Sequence, residues 1–394
     1  MNCWPRNSWR GWRKTANPGN PARRVPKTNK QLHPAGSKPD NMSNKVKWGV
    51  IGCGGIAARR TIPELKKLAA NAELVSVMDT NAARAREVAA QFGVPHACAT
   101  EAELLAQDVQ AVYIASPPNA HCRQTVQAAR AGKHILCEKP IAVSVAEVDQ
   151  MEAACAQAGV KFMLAWCMRQ NVYHQQAREL VQSGALGRMV MGRAQLTCWY
   201  PPIPGAWRQD IALSHGGALL DMGTHCLDLL EWIFGSPIIE VTGFTDLLIH
   251  AYATPIEDTA TILVRFRNGA HGIIDNYFNI PDAAAQNALE LFGTKGSIIA
   301  RGTIGQEPTG QMFSILQAQE TGYDAAQTRD SQPNRREYKL EGRGIYGQMI
   351  TLFSDCILQD RPPPASLADG RHSVKVVNAI YQAARERRVV EVAA

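Results

Sequence analysis

Polar chemistry is concentrated where the chain is otherwise most apolar, in the stretch Gly216 to Asp228, GGALLDMGTHCLD. Read as a helix opened by the glycine pair and carried on by Leu229, Leu230, Trp232 and Ile233, it sets Asp221 and His225 at i,i+4 on one face, with Asp228 three residues further on. A carboxylate beside an imidazole orients the ring and brings its pKa towards the working pH, which suits a general base. Polar groups amid so much leucine need partners, so a satisfied structural network is one competing reading. A D-x-x-x-H-x-x-D metal site is another; no further ligand cluster accompanies it, and the sequence predicts no metal. Asp228 itself reads as structural.

Lys139 is the second candidate. It follows the apolar strand HILC, between Glu138 and Pro140. An ammonium at a strand end can hydrogen-bond a substrate hydroxyl and favour its alkoxide; a solvated surface lysine is the bland alternative. Pro140 admits a cis Lys–Pro bond. His121 reads as structural or cofactor-adjacent. Trp166, Arg169, Trp199, Tyr200, Trp207 and Arg208 offer flat faces and planar donors that suit a polyol pocket, and equally suit ordinary packing.

These groups need a frame, and it begins at Val46–Ala57, VKWGVIGCGGIA. An apolar run rich in β-formers leads into G-x-G-x-x-A and then helix-like sequence, the context in which a glycine pattern reads as a dinucleotide fingerprint. Gly52 permits the tight turn, Gly54 lets backbone approach a pyrophosphate, and Ala57 keeps the helix close to the strand. A second strand, ELVSVM, ends at Asp79, 22 residues after Ala57. An acid there accepts ribose hydroxyls and repels a 2′-phosphate, which favours NAD over NADP, although Arg84 and Arg86 stand a helical turn further on. Strand-like and helix-like segments then alternate to about Ala165: a helix over 82–92, strands at 111–115, 134–137 and 161–165, and helices over 124–131 and 144–158. This is the rhythm of a doubly wound parallel sheet, whose ligands gather at the carboxyl ends of the strands. Cofactor contacts are therefore assigned to Gly52, Gly54, Gly55, Ile56, Asp79, Ser116, Pro117, Asn119, His121, Glu138 and Lys139. Substrate contacts are assigned to Lys139, Arg169, Trp207, Arg208, Asp221 and His225.

Beyond Trp166 the pattern becomes α+β with a mainly antiparallel sheet: a helix over 173–182, then strand-like segments 190–199, 240–244, 259–267, 270–277, 288–292 and 297–300. Gly293-Thr294-Lys295-Gly296 reads as a tight hairpin. A closing helix over 371–385 is placed to pack back on the first half. The division expected is a disordered basic tail (1–41), a Rossmann domain (42–165), and a substrate-binding and oligomerisation domain (166–394).

Composition sets outer limits. At 394 residues, with 45% hydrophobic and 20% charged, the chain suits two globular domains, and no apolar run approaches a membrane span. The net charge of +7 misleads: residues 1–41 hold five Arg and four Lys against Asp40 alone, leaving the remainder at −1. Nothing marks the body as a nucleic-acid binder. The tail has almost no aliphatic residues and cannot order itself by burial, and Met42 precedes a native-like lead-in. Ten cysteines without a C-x-x-C pair suit reduced cytoplasmic thiols.

Taken together, VIGCGGIA, ASPPNAH, CEKP, GGALLDMGTHCLDLL and ELFGTKGSI resemble the glucose–fructose oxidoreductase/inositol dehydrogenase (Gfo/Idh/MocA) family, from about Lys45 to the C-terminus. The resemblance implies a Rossmann domain, an α/β domain whose open sheet often makes the oligomer interface (a homodimer or homotetramer), NAD(P), a sugar or cyclitol substrate, and no metal. By it, Lys139, Asp221 and His225 match the active-site lysine and the aspartate–histidine pair. PPIPGAW and GTKGSIIARGTIGQEPTG look like 1,5-anhydrofructose reductases, but such reductases usually prefer NADP and carry no acid where this chain has Asp79. Relatives that cleave glycosides without net oxidation, and sugar-binding regulators without activity, are the alternatives the resemblance leaves.

Overall fold

The structure, a computed structural model, describes residues 45–316 and 334–393. The basic tail 1–41 and the start at Met42 lie outside the described residues. The architecture is a parallel sheet followed by a larger, mainly antiparallel one.

The first sheet comprises β1 (Val46–Ile51), β2 (Ala72–Met78), β3 (His96–Cys98), β4 (Ala111–Ile114), β5 (His134–Cys137) and β6 (Phe162–Leu164). All its pairings are parallel, in the order β3-β2-β1-β4-β5-β6. That order reverses between β1 and β4, and a crevice opens where the connections diverge. Strands this buried on both faces need continuous apolar sequence: Val46, Trp48, Val50 and Ile51 of β1 are all buried, as is the whole of Ala111–Ile114. Local chemistry sets the helix limits. Asn81 caps Ala82–Phe92 by accepting the N–H groups of Ala83 and Arg84, and Gly93 ends it at φ 59°. Ser144 caps Val145–Ala158 in the same way.

The second sheet holds β7 (Met189–Thr197), β8 (Ile238–Asp246), β9 (Thr259–Phe266), β10 (His271–Tyr277), β11 (Leu289–Gly293), β12 (Gly296–Arg301), β13 (Gln311–Leu316), β14 (Arg335–Tyr338) and β15 (Val390–Glu391). Their order is β14-β13-β12-β11-β7-β10-β9-β8-β15, antiparallel except for β7 beside β10. The hairpin read at 293–296 joins β11 to β12, with Gly293 opposite Gly296. Along β9, Ala260, Ile262, Val264 and Phe266 are buried while Thr261, Leu263 and Arg265 alternate with them. Helices cover the inner face; the outer face carries ion pairs such as Arg193–Asp275, Arg265–Glu240 and Arg301–Glu290.

Some elements differ from the sequence reading. The helix expected from Gln124 starts at Pro118, because proline is well tolerated in a first helical turn. It therefore contains Asn119 and His121. β3, β13, β14 and the helices Glu101–Leu105 and Ile345–Leu358 were not foreseen. Ile345–Leu358 is mostly apolar, with only a narrow polar edge at Gln348, Thr351 and Asp355; it packs Phe353 against Trp48 of β1, ring centres 5.9 Å apart. The closing helix runs Leu367–Glu386 behind a Ser366/Asp369 capping box, and Arg371 pairs with Asp149 and Glu152 of the helix Val145–Ala158.

Because Phe353 is wholly buried against Trp48, Phe353→Ala is expected to cost about 3–5 kcal/mol in a chemical-denaturation experiment. A loss below about 1 kcal/mol would show that this contact does not join the late helix to the first sheet.

Candidate functional site

At the carboxyl end of β1 the chain turns through Gly52 at φ +95°. A Cβ there would sit 2.9 Å from the Ala115 carbonyl carbon and the Ser116 nitrogen, so the turn demands glycine. A Cβ on Gly54 would meet nothing within 4 Å: backbone at the head of the following helix borders open space. Asp79, at the end of β2, accepts the Cys53 N–H (2.9 Å) through Oδ2 and the Asn81 N–H (2.9 Å) through Oδ1. It thereby ties the glycine loop to the strand beside it. Arg84 donates to the Cys53 carbonyl (3.1 Å) and pairs with Glu87. A bare glycine-loop edge, a helix N-terminus and an acid at the next strand end are the donor set that suits a dinucleotide, and the residues present fit that group.

Beside this edge lies a cavity of about 500 Å3, reached by Ile56, Ser116, Glu138 and Lys139 from the first sheet and by Tyr200, Trp207, Arg208, Asp221 and His225 from the second half. Lys139 crosses between them, donating to the Asp221 backbone carbonyl (2.5 Å) and to Asp221 Oδ1 (3.1 Å). The other carboxylate oxygen faces Arg208 Nε at 3.3 Å, and the Arg208 guanidinium stacks on Trp207, 4.3 Å from its ring centre. Burial alone would raise the Asp221 carboxyl, but Lys139 and Arg208 together hold it far below the ordinary carboxylate range. Burial pushes the His225 imidazole well below its usual value, and Lys139 adds to this while Asp221 opposes it. The His225 imidazole is thus neutral at neutral pH.

Asp221 and His225 do not meet as an i,i+4 pair. Residues Leu219–Gly223 wind as a wider π-helical turn before the α-helix Thr224–Phe234 begins. The wider turn breaks the 3.6-residue alignment on which that expectation rested, and Asp221 goes to the two cations instead. His225 Nδ1 is buried and finds no hydrogen-bond partner among the described residues; the Trp166 ring stands against it edge-on, centroids 6.2 Å apart. With Nδ1 enclosed, Nε2 is the ring nitrogen that can serve the cavity.

Arg169 is corrected outright. It makes a two-pronged bond to Asp228, at 2.5 and 3.0 Å, and a third to the Pro364 carbonyl, and is not among the cavity residues. Burial pushes Asp228 up to about 6 with Arg169 pulling against it, so Asp228 is the structural residue the sequence suggested. His121 is fully buried, with its ring nitrogens against the carbonyls of Ser116 (2.9 Å) and Pro140 (2.8 Å); it secures the loop and does not reach the cavity. Pro117 stands just before the helix Pro118–Arg130 without a side-chain capping bond, and Asn119 is exposed on its first turn, both outside the cavity lining. Glu138 is buried and accepts from Tyr113 Oη (2.5 Å) and from the Lys139 N–H (3.3 Å); burial raises its carboxyl despite these bonds and the charge of Lys139. The Lys139–Pro140 bond is cis.

The cavity also takes in Arg59, Met168, Cys198, Phe278, Asn287 and Tyr346, which sequence reasoning did not single out. Arg59 carried a signal, lying one helical turn past the glycine loop. Tyr346 sits on the unforeseen helix Ile345–Leu358 and carried none. The Cys198 thiol is pushed up to about 12, chiefly by burial, so it lines the cavity as an inert group. All nine cysteines among the described residues are free, and these residues contain no cluster of three or more side chains able to hold a metal.

Residues 46–166 match the profile described as "Oxidoreductase family, NAD-binding Rossmann fold", and residues 174–299 match "GFO/IDH/MocA C-terminal domain". The chain is 27% identical to 1,5-anhydro-D-fructose reductase from Ensifer adhaerens over 350 residues, 88% of this chain and 98% of the relative. It is 28% identical to myo-inositol 2-dehydrogenase from Thermotoga maritima over 350 residues, again 88% and 98%. Among solved structures, the aldose-aldose oxidoreductase of Caulobacter crescentus complexed with glycerol superposes with a TM-score of 0.77 at 26% identity, covering 88% of this chain and 99% of that one. Two profile matches, one over the whole first sheet and one over β7 to β11 and most of β12, together with near full-length relatives, lead to one conclusion: the chain belongs to the Gfo/Idh/MocA family of NAD-binding oxidoreductases.

Proposed function

We propose that the protein interconverts a secondary alcohol and a ketone on a sugar or cyclitol ring, with NAD as the preferred cofactor. The observation that carries this reading is the Lys139–Asp221 contact at one end of a cavity shared by the nucleotide-binding edge and by His225. A bound nicotinamide supplies the hydride acceptor for oxidation and the donor for reduction.

The remaining work falls to this chain's side chains. Lys139 spends two of its N–H bonds on Asp221, leaving a third for the substrate oxygen, where its charge favours the alkoxide. His225 Nε2 takes the hydroxyl proton in oxidation and returns it in reduction. Asp221 does not orient the ring by a hydrogen bond; it contributes the negative charge that stabilises the imidazolium as it forms. Trp207 and Tyr200 present aromatic faces to a polyol ring, with Arg208 as a planar donor beside them. The two curated relatives act, by their names, on an anhydro-ketose and on a cyclitol, both of which suit such a cavity. Asp79 supports NAD over NADP through repulsion of a 2′-phosphate.

On the same reading, residues 42–165 form the nucleotide-binding domain and 166–394 the substrate-binding and oligomerisation domain. The outer face of the second sheet exposes Val190 and Leu263 and suits a second copy in a homodimer or homotetramer. Free buried thiols suit the cytoplasm, and no helix among the described residues is long and apolar enough to cross a membrane.

Lys139→Ala and His225→Ala should each lower turnover of the best substrate in a cyclitol and anhydro-sugar panel by about 10²–10⁴-fold, with NADH affinity unchanged in His225→Ala. Near-normal turnover in either variant would contradict the assignment, and turnover without stoichiometric NADH would contradict net oxidation. NADH should bind on the order of tenfold more tightly than NADPH, with Asp79→Ala erasing most of the difference in a fluorescence titration; equal affinities in the parent protein would remove Asp79 from that role. A base must be unprotonated, so oxidation fails as pH falls through the His225 pKa. Since that pKa lies well below 6.5, the acid limb of kcat/KM should also lie well below pH 6.5. Asp221→Asn, which removes the charge holding it up, should move the limb lower still. A limb at or above pH 6.5 would contradict the lowering of the His225 pKa by burial and by Lys139.

A further inference from the structure

The glycine pair that opens the Asp221 segment is explained by what passes behind it. A Cβ on Gly217 would lie 1.9 Å from the Glu257 carbonyl oxygen, and one on Gly216 would lie 2.3 Å from the Tyr381 hydroxyl. Both residues press on the backbone here, and both then bond around it. The Glu257 carbonyl accepts the Ala218 N–H (3.0 Å). Its Oε1 accepts the Leu219 N–H (3.1 Å) and the Tyr381 hydroxyl (2.8 Å). Tyr381 belongs to the closing helix Leu367–Glu386, and Glu257 stands just before β9.

The first N–H groups of a helical segment have no partner within it. Here those of Ala218 and Leu219 are taken by one distant residue, whose carboxyl is itself buried and raised chiefly by that burial. Within the segment, the Asp221 N–H then closes on the Gly217 carbonyl (3.0 Å), and both the carbonyl and the carboxylate of Asp221 meet Lys139. A short bonded path therefore links Glu257 to the lysine, with Tyr381 steadying its far end.

We propose that Glu257, held by Tyr381, is a positioning residue for the active site: it fixes the start of the π-helical turn so that Asp221 and His225 are presented to Lys139. This rests on the function proposed above and extends it to two residues that touch neither the cavity nor the expected cofactor edge. A simple cap would contribute to stability alone; a positioning residue also controls turnover.

The test uses the full chain with Glu257→Ala, Glu257→Gln and Tyr381→Phe. The readouts are amide hydrogen exchange over 217–224, NADH affinity, thermal midpoint, and kcat and KM for a polyol that the parent protein oxidises, with myo-inositol tried first. Glu257→Ala should speed exchange over 217–224 at least tenfold, roughly the loss of one strong bond, and lower kcat at least tenfold, with NADH affinity and KM within about twofold. Glu257→Gln keeps an oxygen that accepts from Leu219 and Tyr381 and should restore both properties to within about threefold. Should Glu257→Ala fail to fold, Tyr381→Phe carries the test, with smaller losses of the same pattern. The proposal is overturned if kcat holds within twofold while local exchange rises, if exchange rises evenly across the fold, or if glutamine rescues nothing. Hydrogen exchange needs no substrate, so absent turnover in the parent protein would strike the functional reading alone, while unchanged exchange in Glu257→Ala would strike this proposal alone.

Discussion

The site depends on one buried anion held between two cations. Asp221 arrives from the helical segment beside the second sheet, Lys139 from the end of β5, and Arg208 from the loop carrying Trp207. Removing a carboxylate from water is costly unless its charge is matched, and two partners on opposite oxygens provide the match. The consequence is geometric. A contact that joins the two halves of the chain also defines the wall of the cavity between them, and it places an ammonium and a neutral imidazole beside the edge where a nicotinamide is expected. The same ammonium helps to keep that imidazole neutral, so the acid and the base of the proposed chemistry are set apart by one charge.

A second ion pair keeps this arrangement unambiguous. Asp228, one turn along the helix from His225, is taken by Arg169 in a two-pronged bond. Left unpaired, it would be a buried carboxylate with no charge to match it. Behind the segment, Glu257 and Tyr381 occupy the space that two glycines leave open. Lys139 and Arg208 define its front, and Arg169 holds the helix that follows.

Much of the frame was legible because it follows from local rules. The glycine loop, Asp79 at the end of β2 and the helix Ala82–Phe92 between Asn81 and Gly93 are written in turn, cap and burial chemistry. The identities of Lys139, Asp221 and His225 were legible as well, since charged groups amid leucine or at a strand end stand out. What stayed hidden depends on tertiary context. The π-helical turn at Leu219–Gly223 has no sequence period of its own, so an α-helical i,i+4 pairing was the natural and mistaken expectation. Arg169 looked like a pocket donor until the fold brought Asp228 to it. The helix Ile345–Leu358, which brings Tyr346 to the cavity, is mostly apolar, and its polar edge is narrow. Glu257 lies 36 residues beyond Asp221 in a loop that no motif marks.

The account is tested most directly by a crystal structure of the protein with NADH and a bound polyol. It predicts one ring oxygen within about 3 Å of both Lys139 Nζ and His225 Nε2, with Asp221 still between Lys139 and Arg208 and its carbon facing the nicotinamide. A polyol seated elsewhere, or an oxygen that meets only one of the two nitrogens while the other faces away from the cavity, would contradict it.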